Sequence, residues 1–231
     1  MLMEQNTVKI AQAVRILHGL GLLEVFGHVS SRADTQSFHV LGHLHIAGRT
    51  LATTTPDDIV KVDLNGQVIE GETSPPGEVY IHTEIYKRRR DVNAVVHAHP
   101  MACITLSTLE QEILPLWVQA TPFYQGTPVF GLPEQIDNPE VGRRVAEVLG
   151  DKRAVLLKGH GAVVVGSGVE EACILAISLE RTARMQLEAS VLGQPKAIPS
   201  EALVDGMTRG LSLSELVESY WEYWAGKFPL F

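Results

Sequence analysis

The sequence predicts a layered α/β domain, and three observations carry that reading. Strand-like and helix-like apolar patterns interleave along the chain. The early strand segments are joined by short turn signals, so the sheet is not purely parallel. No Pro/Ser-rich linker, charge block, low-complexity tract or internal repeat divides the 231 residues, so one domain over residues 1–231 is expected.

The elements follow in order. Residues 6–23 carry Val8, Ala11, Ala13, Val14, Leu17 and Leu20 at helical spacing, and Gly19 and Gly21 close that helix. Residues 29–33, 38–46 and 59–62 read as short strands. Asn65-Gly66, between Val60-Lys61-Val62 and Gln67-Val68-Ile69, is a strong hairpin signal. A helix is expected over 77–89, then a strand through Val92-Asn93-Ala94-Val95-Val96, then a helix over 101–109. Residues 115–133 look irregular apart from a strand at 127–130. Residues 140–149 are helical, and 153–165 hold two strands around Gly159-His160-Gly161. From Val169 the apolar period is helical to about Gly193. A tail helix over 214–225 carries Tyr220, Trp221, Tyr223 and Trp224, which suit packing at a subunit boundary.

Composition narrows the function classes. The formal charge of −8 is interspersed and argues against nucleic acid. The one basic run, Lys87-Arg88-Arg89-Arg90, ends a predicted helix, where cations suit the macrodipole. Cys103 and Cys173 sit in helical apolar patterns and read as buried thiols, which fits a reducing cytoplasm. The N-terminus carries no signal-peptide pattern, and no apolar run is long enough to span a membrane.

The chemistry concentrates at His97-Ala98-His99. Residues two apart on a strand share a face, so this pair projects two imidazoles from a stiff backbone, and Pro100 ends the strand. His160 stands at a second strand end, between Gly159 and Gly161. Three neutral nitrogens with one position left open are what a catalytic divalent metal uses: zinc, manganese, cobalt or iron(II). Glu78, expected at a helix start behind Pro75-Pro76-Gly77, supplies a fourth ligand or moves a proton. His82, four residues on, is expected on the same helix face and reads as a packing or supporting histidine. Such a metal acts as a Lewis acid on a substrate oxygen while a neighbouring bond breaks. His43 and His45 make a conceivable second pair, but no third ligand is evident for it. His18 and His39 look structural or exposed.

Several segments together resemble the class II aldolase/adducin family. They are Gly27-His28-Val29-Ser30-Ser31-Arg32, the stretch from Asp57 to Gly66, Glu78 with His82 and Tyr86, Ala94-Val95-Val96-His97-Ala98-His99-Pro100, and Lys158-Gly159-His160-Gly161. The resemblance covers nearly the whole chain, from the first helix to the helix after His160. It implies a three-layer α/β/α domain with a largely antiparallel central sheet. It also implies a metal on His97, His99 and His160, with Glu78 as fourth ligand or acid/base, and a homotetramer with active sites between subunits.

The departures from the family's sugar-phosphate aldolases carry the next expectation. Those enzymes have Gly-Asn where this chain has Gly27-His28, and Ser-Ser where it has Pro76-Gly77. Their Thr-Gly pair near the second strand is replaced by a stretch running from Gly42 to Arg49. A phosphate site wants hydroxyls and N–H donors. His28, His43 and Arg49 suit a planar carboxylate better. This pattern resembles a branch that decarboxylates hydroxylated aromatic or heteroaromatic acids, such as the dihydroxyphthalate and hydroxy-methylpyridine-dicarboxylate decarboxylases. The reading is a metal-dependent carbon–carbon lyase working through a metal-stabilised enolate-like intermediate. Glu78 or His28 delivers the proton, while Ser30, Arg49, His43 and Tyr124 contact a small carboxylate substrate. Tyr124 and Gln119 lie where the family places a cross-subunit tyrosine. The alternatives are an aldolase acting on an unphosphorylated hydroxy-keto acid or sugar, and a non-catalytic adducin-like domain; the full ligand set argues against the second.

Overall fold

The architecture is an eight-stranded sheet with helices on both faces. It is seen in a computed structural model that describes residues 2–43, 49–209 and 212–230. Helix α1 (Leu2–Gly19) leads into β1 (His28–Arg32) and β2 (Ser37–Leu41). Strands β3 (Ile59–Asp63) and β4 (Val68–Glu70) follow, then α2 (Tyr80–Arg88), β5 (Ala94–Ala98) and α3 (Met101–Thr108). The second half holds β6 (Val129–Phe130), α4 (Pro139–Leu149), β7 (Ala154–Leu157) and β8 (Gly161–Gly166). Helices α5 (Val169–Leu192), α6 (Ser200–Arg209) and α7 (Leu213–Lys227) close the chain. The strand order is β4-β3-β2-β1-β5-β8-β7-β6. Every neighbouring pair is antiparallel except β6 with β7.

Period-two alternation sorts the strands into two cores. Ala94, Val96, Ala162, Val164 and Leu156 pack on α1, α3, α5 and α7. Val95, Val163, Val165, Val155 and Leu157 pack on α2 and α4. The result is the expected α/β/α layering. His28 on β1 registers against His97 on β5, at the centre of the sheet. Alternation then turns both imidazoles to the face that α2 covers.

Local chemistry explains the boundaries. Asp63 Oδ1 accepts from the N–H groups of Asn65 and Gln67 and closes the β3–β4 hairpin. Asn138 caps α4 by accepting from Val141 N, with Pro139 in the first helical position. Gly159 takes φ +66° in the β7–β8 turn, a left-handed conformation that favours glycine. Gly161 permits close approach of β8 to β5: a Cβ there would lie 2.3 Å from the Ala98 carbonyl oxygen.

Several expectations need correction. The helix expected over 77–89 begins at Tyr80; residues 77–79 form a turn in which Val79 N bonds to the Pro76 carbonyl. Glu78 therefore precedes the helix and does not share a helical face with His82. The strand expected over 38–46 ends at Leu41, and His45 lies outside the described residues. The first helix spans Leu2–Gly19 rather than 6–23. Helix α6 was not anticipated, since its apolar positions are few and Gly206 interrupts them. Cys103 and Cys173 are buried free thiols. No helix among the described residues is long and apolar enough to cross a membrane.

Candidate active site

His97, His99 and His160 come together at one end of the sheet. Strand β5 carries His97, the residue after its end carries His99, and the β7–β8 turn carries His160. Antiparallel pairing of β5 with β8 brings the two segments side by side. The His97 and His99 rings meet edge-on with centroids 4.9 Å apart. The His97 and His160 centroids are 5.0 Å apart, and those of His99 and His160 are 5.4 Å apart. One nitrogen from each ring lies within 4.8 Å of the others.

Glu78 completes the group from the turn before α2. Its Oε2 stands 3.3 Å from His97 Nε2 and 3.4 Å from His160 Nε2. Its Oε1 accepts from Ile136 N at 3.0 Å, which holds the carboxylate in place. Burial disfavours the charged form of Glu78. The contact with His160 and the Ile136 N–H outweigh it and hold the carboxyl below its usual range. Burial, with His97 and His160 beside it, pushes His99 down to about 4.

The tautomer of His97 follows from its neighbour. Its Nδ1 lies 3.2 Å from the Ala162 carbonyl, which only accepts, so Nδ1 carries the proton. The lone pair is then on Nε2. That atom is buried and has no hydrogen-bond partner, since the nearby Glu78 oxygen is itself an acceptor. A buried, unpaired acceptor between two further imidazoles and a carboxylate fits a divalent transition cation by number and type of donor. A second grouping, His28 with Glu78 and His97, also brings ligand atoms together.

A cavity of about 700 Å³ opens over these groups, walled by His28, His43, Glu78, His99, Lys158 and His160. His28 and His43 thus line the cavity. Ser30 does not: it is fully buried, with its hydroxyl on His82 and Tyr86. Strand alternation places it beside His28 but one layer deeper. Arg49 is exposed and commits its guanidinium to Asp58 and Thr55, away from the cavity wall. Tyr124 is 41% exposed and follows the 118–123 turn, and its hydroxyl accepts from its neighbour Gln125. Gln119 is held through its carbonyl, which accepts from Ser178. His82 is buried behind His28 and pushed down to about 3 by burial, so it is neutral.

The structure adds residues that sequence reasoning gave no role. Val25 and Phe26 stand more than half exposed at the cavity. Lys158, just before Gly159-His160-Gly161, also lines it and ion-pairs with Glu110. Adjacency to Gly27-His28 and to the Gly-His-Gly turn was the available signal for these three.

Fold and site together define a class II aldolase-like α/β/α protein. The chain belongs to the class II aldolase and adducin family, whose N-terminal-domain profile matches residues 8–187. A 3,4-dihydroxyphthalate decarboxylase of Arthrobacter keyseri is 33% identical over 198 residues, covering 80% of this chain and 78% of that protein. A 5-deoxy-D-ribulose 1-phosphate aldolase of Bacillus thuringiensis serovar kurstaki is 32% identical over 151 residues, covering 65% of this chain and 70% of that protein. The crystal structure of an aldolase II superfamily protein from Pseudomonas syringae superposes with a TM-score of 0.83. It is 23% identical and covers 97% of this chain and 92% of that one, a likeness of fold.

Proposed function

We propose that the chain is a divalent-metal-dependent carbon–carbon lyase that decarboxylates a hydroxylated aromatic or heteroaromatic (di)carboxylic acid. The observation that carries this reading is the convergence of His97, His99, His160 and Glu78 on an open cavity. Next to Glu78 stand Pro76 and Gly77, which offer no hydroxyl for a phosphate. The decarboxylase relative supports the substrate class.

A divalent cation bound there supplies Lewis acidity toward a substrate oxygen. The chain's own residues do the rest. Glu78 takes the proton of the substrate hydroxyl and delivers it to the ring carbon that bears the departing carboxylate. The bond to that carboxylate then breaks, CO₂ leaves, and its electron pair returns to the ring and the neighbouring oxygen. Lys158 and His28, on the cavity wall, hold the carboxylate that stays. Val25 and Phe26 cover the ring and keep water from it. Four such subunits form a homotetramer in the cytoplasm.

The second reading is an aldehyde-lyase, favoured by the aldolase relative. Metal analysis of the pure protein is the first test. A panel of ortho-hydroxylated di-acids, with and without added manganese or zinc, is then followed by CO₂ release. CO₂ without aldehyde supports the decarboxylase; aldehyde release from a hydroxy-keto acid or sugar, without CO₂, overturns it. Light scattering decides the tetramer.

A further inference from the structure

A buried hydrogen-bonded chain runs from the cavity wall into the layer between the sheet and α2. His28 Nδ1 is 2.6 Å from His82 Nε2, His82 Nδ1 is 2.6 Å from Ser30 Oγ, and Ser30 Oγ is 2.7 Å from the Tyr86 hydroxyl. Two periodicities build it. His28 and Ser30 are two apart on β1, and His82 and Tyr86 are four apart on α2. The Arg32 guanidinium lies over the Tyr86 ring and bonds to the carbonyls of Tyr86, Arg89 and Val92, fixing the far end.

Each link takes one proton, and the chain can be threaded in two directions. Tyr86 is buried, and among the described residues Ser30 is the hydrogen-bond partner of its hydroxyl. When Tyr86 donates to Ser30, Ser30 donates to His82 Nδ1 and His82 donates from Nε2 to His28 Nδ1. His28 then carries its own proton on Nε2. In the reverse direction His28 donates from Nδ1, and the Tyr86 proton has no acceptor. A buried hydroxyl proton left unpaired biases the two directions by roughly tenfold to a hundredfold.

We infer that Ser30 and Tyr86, acting through His82, fix His28 as its Nε2–H tautomer, so that His28 presents a neutral hydrogen-bond donor to the cavity. Such a ring has no lone pair on its cavity side. It is neither a cation ligand nor a base, and the His28, Glu78 and His97 grouping is not a second metal site. His97 is set the opposite way, with its proton on Nδ1 toward Ala162 and its lone pair on Nε2. Naming the acceptor as a carboxylate oxygen of the substrate rests on the function proposed above; the tautomer does not. Tyr86, Ser30 and His82 are positioning residues.

The test is long-range proton–nitrogen NMR on the full chain labelled with 15N-histidine, at neutral pH, with His28→Gln to assign the His28 signals. The expected wild-type spectrum has a pyrrole-type Nε2 and a pyridine-type Nδ1 at His28. Ser30→Ala cuts the chain, and the His28 shifts then move toward the average of the two tautomers. Tyr86→Phe leaves the Ser30 hydroxyl proton as the terminal one, still without an acceptor in the reverse direction, so the Nε2–H signature persists. A wild-type His28 with its proton on Nδ1, or unchanged shifts in a folded Ser30→Ala protein, overturns the inference. The wild-type spectrum decides even where neither variant folds. CO₂ release on the same samples separates the two claims. A wild type with the Nε2–H signature and no turnover on any acid defeats the decarboxylase and leaves the tautomer standing; turnover with the wrong tautomer does the reverse.

Discussion

Replacing Glu180 by alanine should destabilise the protein by about 2–6 kcal/mol, worked from two stranded N–H groups at about 1–3 kcal/mol each. Glu180 lies on α5, 8% exposed, and its carboxylate reaches the first turn of α3. Both oxygens accept from Ala102 N at 3.1 Å, and Oε2 also accepts from Cys103 N at 3.1 Å. These amides have no helical partner, and a negative charge there also complements the macrodipole. The Arg184 contact, at 3.7 Å with a mostly exposed guanidinium, adds little. In a chain of this size the loss corresponds to a fall in melting temperature of about 4–24 °C. Helix α3 starts two residues after His99, so loosening it should also weaken zinc binding by roughly tenfold or more. The assays are urea unfolding and zinc titration of wild type, Glu180→Ala and Glu180→Gln. The glutamine keeps one acceptor and should lose about half as much. A Glu180→Ala protein within about 0.5 kcal/mol of wild type would refute the reasoning.

Other predictions follow the same geometry. Gly161→Ala places a Cβ 2.3 Å from the Ala98 carbonyl oxygen and 3.0 Å from His99 Cδ2. It should cost about 1–3 kcal/mol in urea unfolding and weaken zinc binding; a neutral effect on both would show that β5 and β8 can part freely. His99→Ala should abolish metal binding and turnover together, and full activity in a metal-free variant would contradict the scheme. Zinc should raise the melting temperature of wild type but not of His99→Ala; a site saturated a hundredfold above its Kd contributes about 2.7 kcal/mol. Stability should fall on acidification. His82 is held near 3 and His99 near 4 by burial, so between those values and about 6.5 the unfolded chain binds protons that the native one refuses. The slope from His82 alone is on the order of 1.4 kcal/mol per pH unit. The depressed carboxyl of Glu78 adds to the loss below its unfolded value. A flat stability profile between pH 4 and about 6.5 would contradict these assignments.

What the sequence could carry by itself was whatever depends on neighbours along the chain. His97 and His99 are two apart beside an apolar strand, and Gly159-His160-Gly161 is a turn between two apolar runs. Period-two alternation and glycine's access to positive φ act over a few residues, so the histidine cluster was legible before any fold was drawn. So were most helices and the β3–β4 hairpin.

The remainder depended on which elements meet. Ser30 and Arg49 have side chains suited to a carboxylate. Packing instead turns Ser30 toward α2 and pairs Arg49 with Asp58. Glu78 reaches the histidines from a turn that Pro76 helps form, not from a helix face. The line from Tyr86 to His28 joins positions more than 50 residues apart, and only the docking of α2 on the sheet brings them within hydrogen-bond distance. Burial then decides which of those protons has a partner, a property of the folded interior that no local pattern encodes.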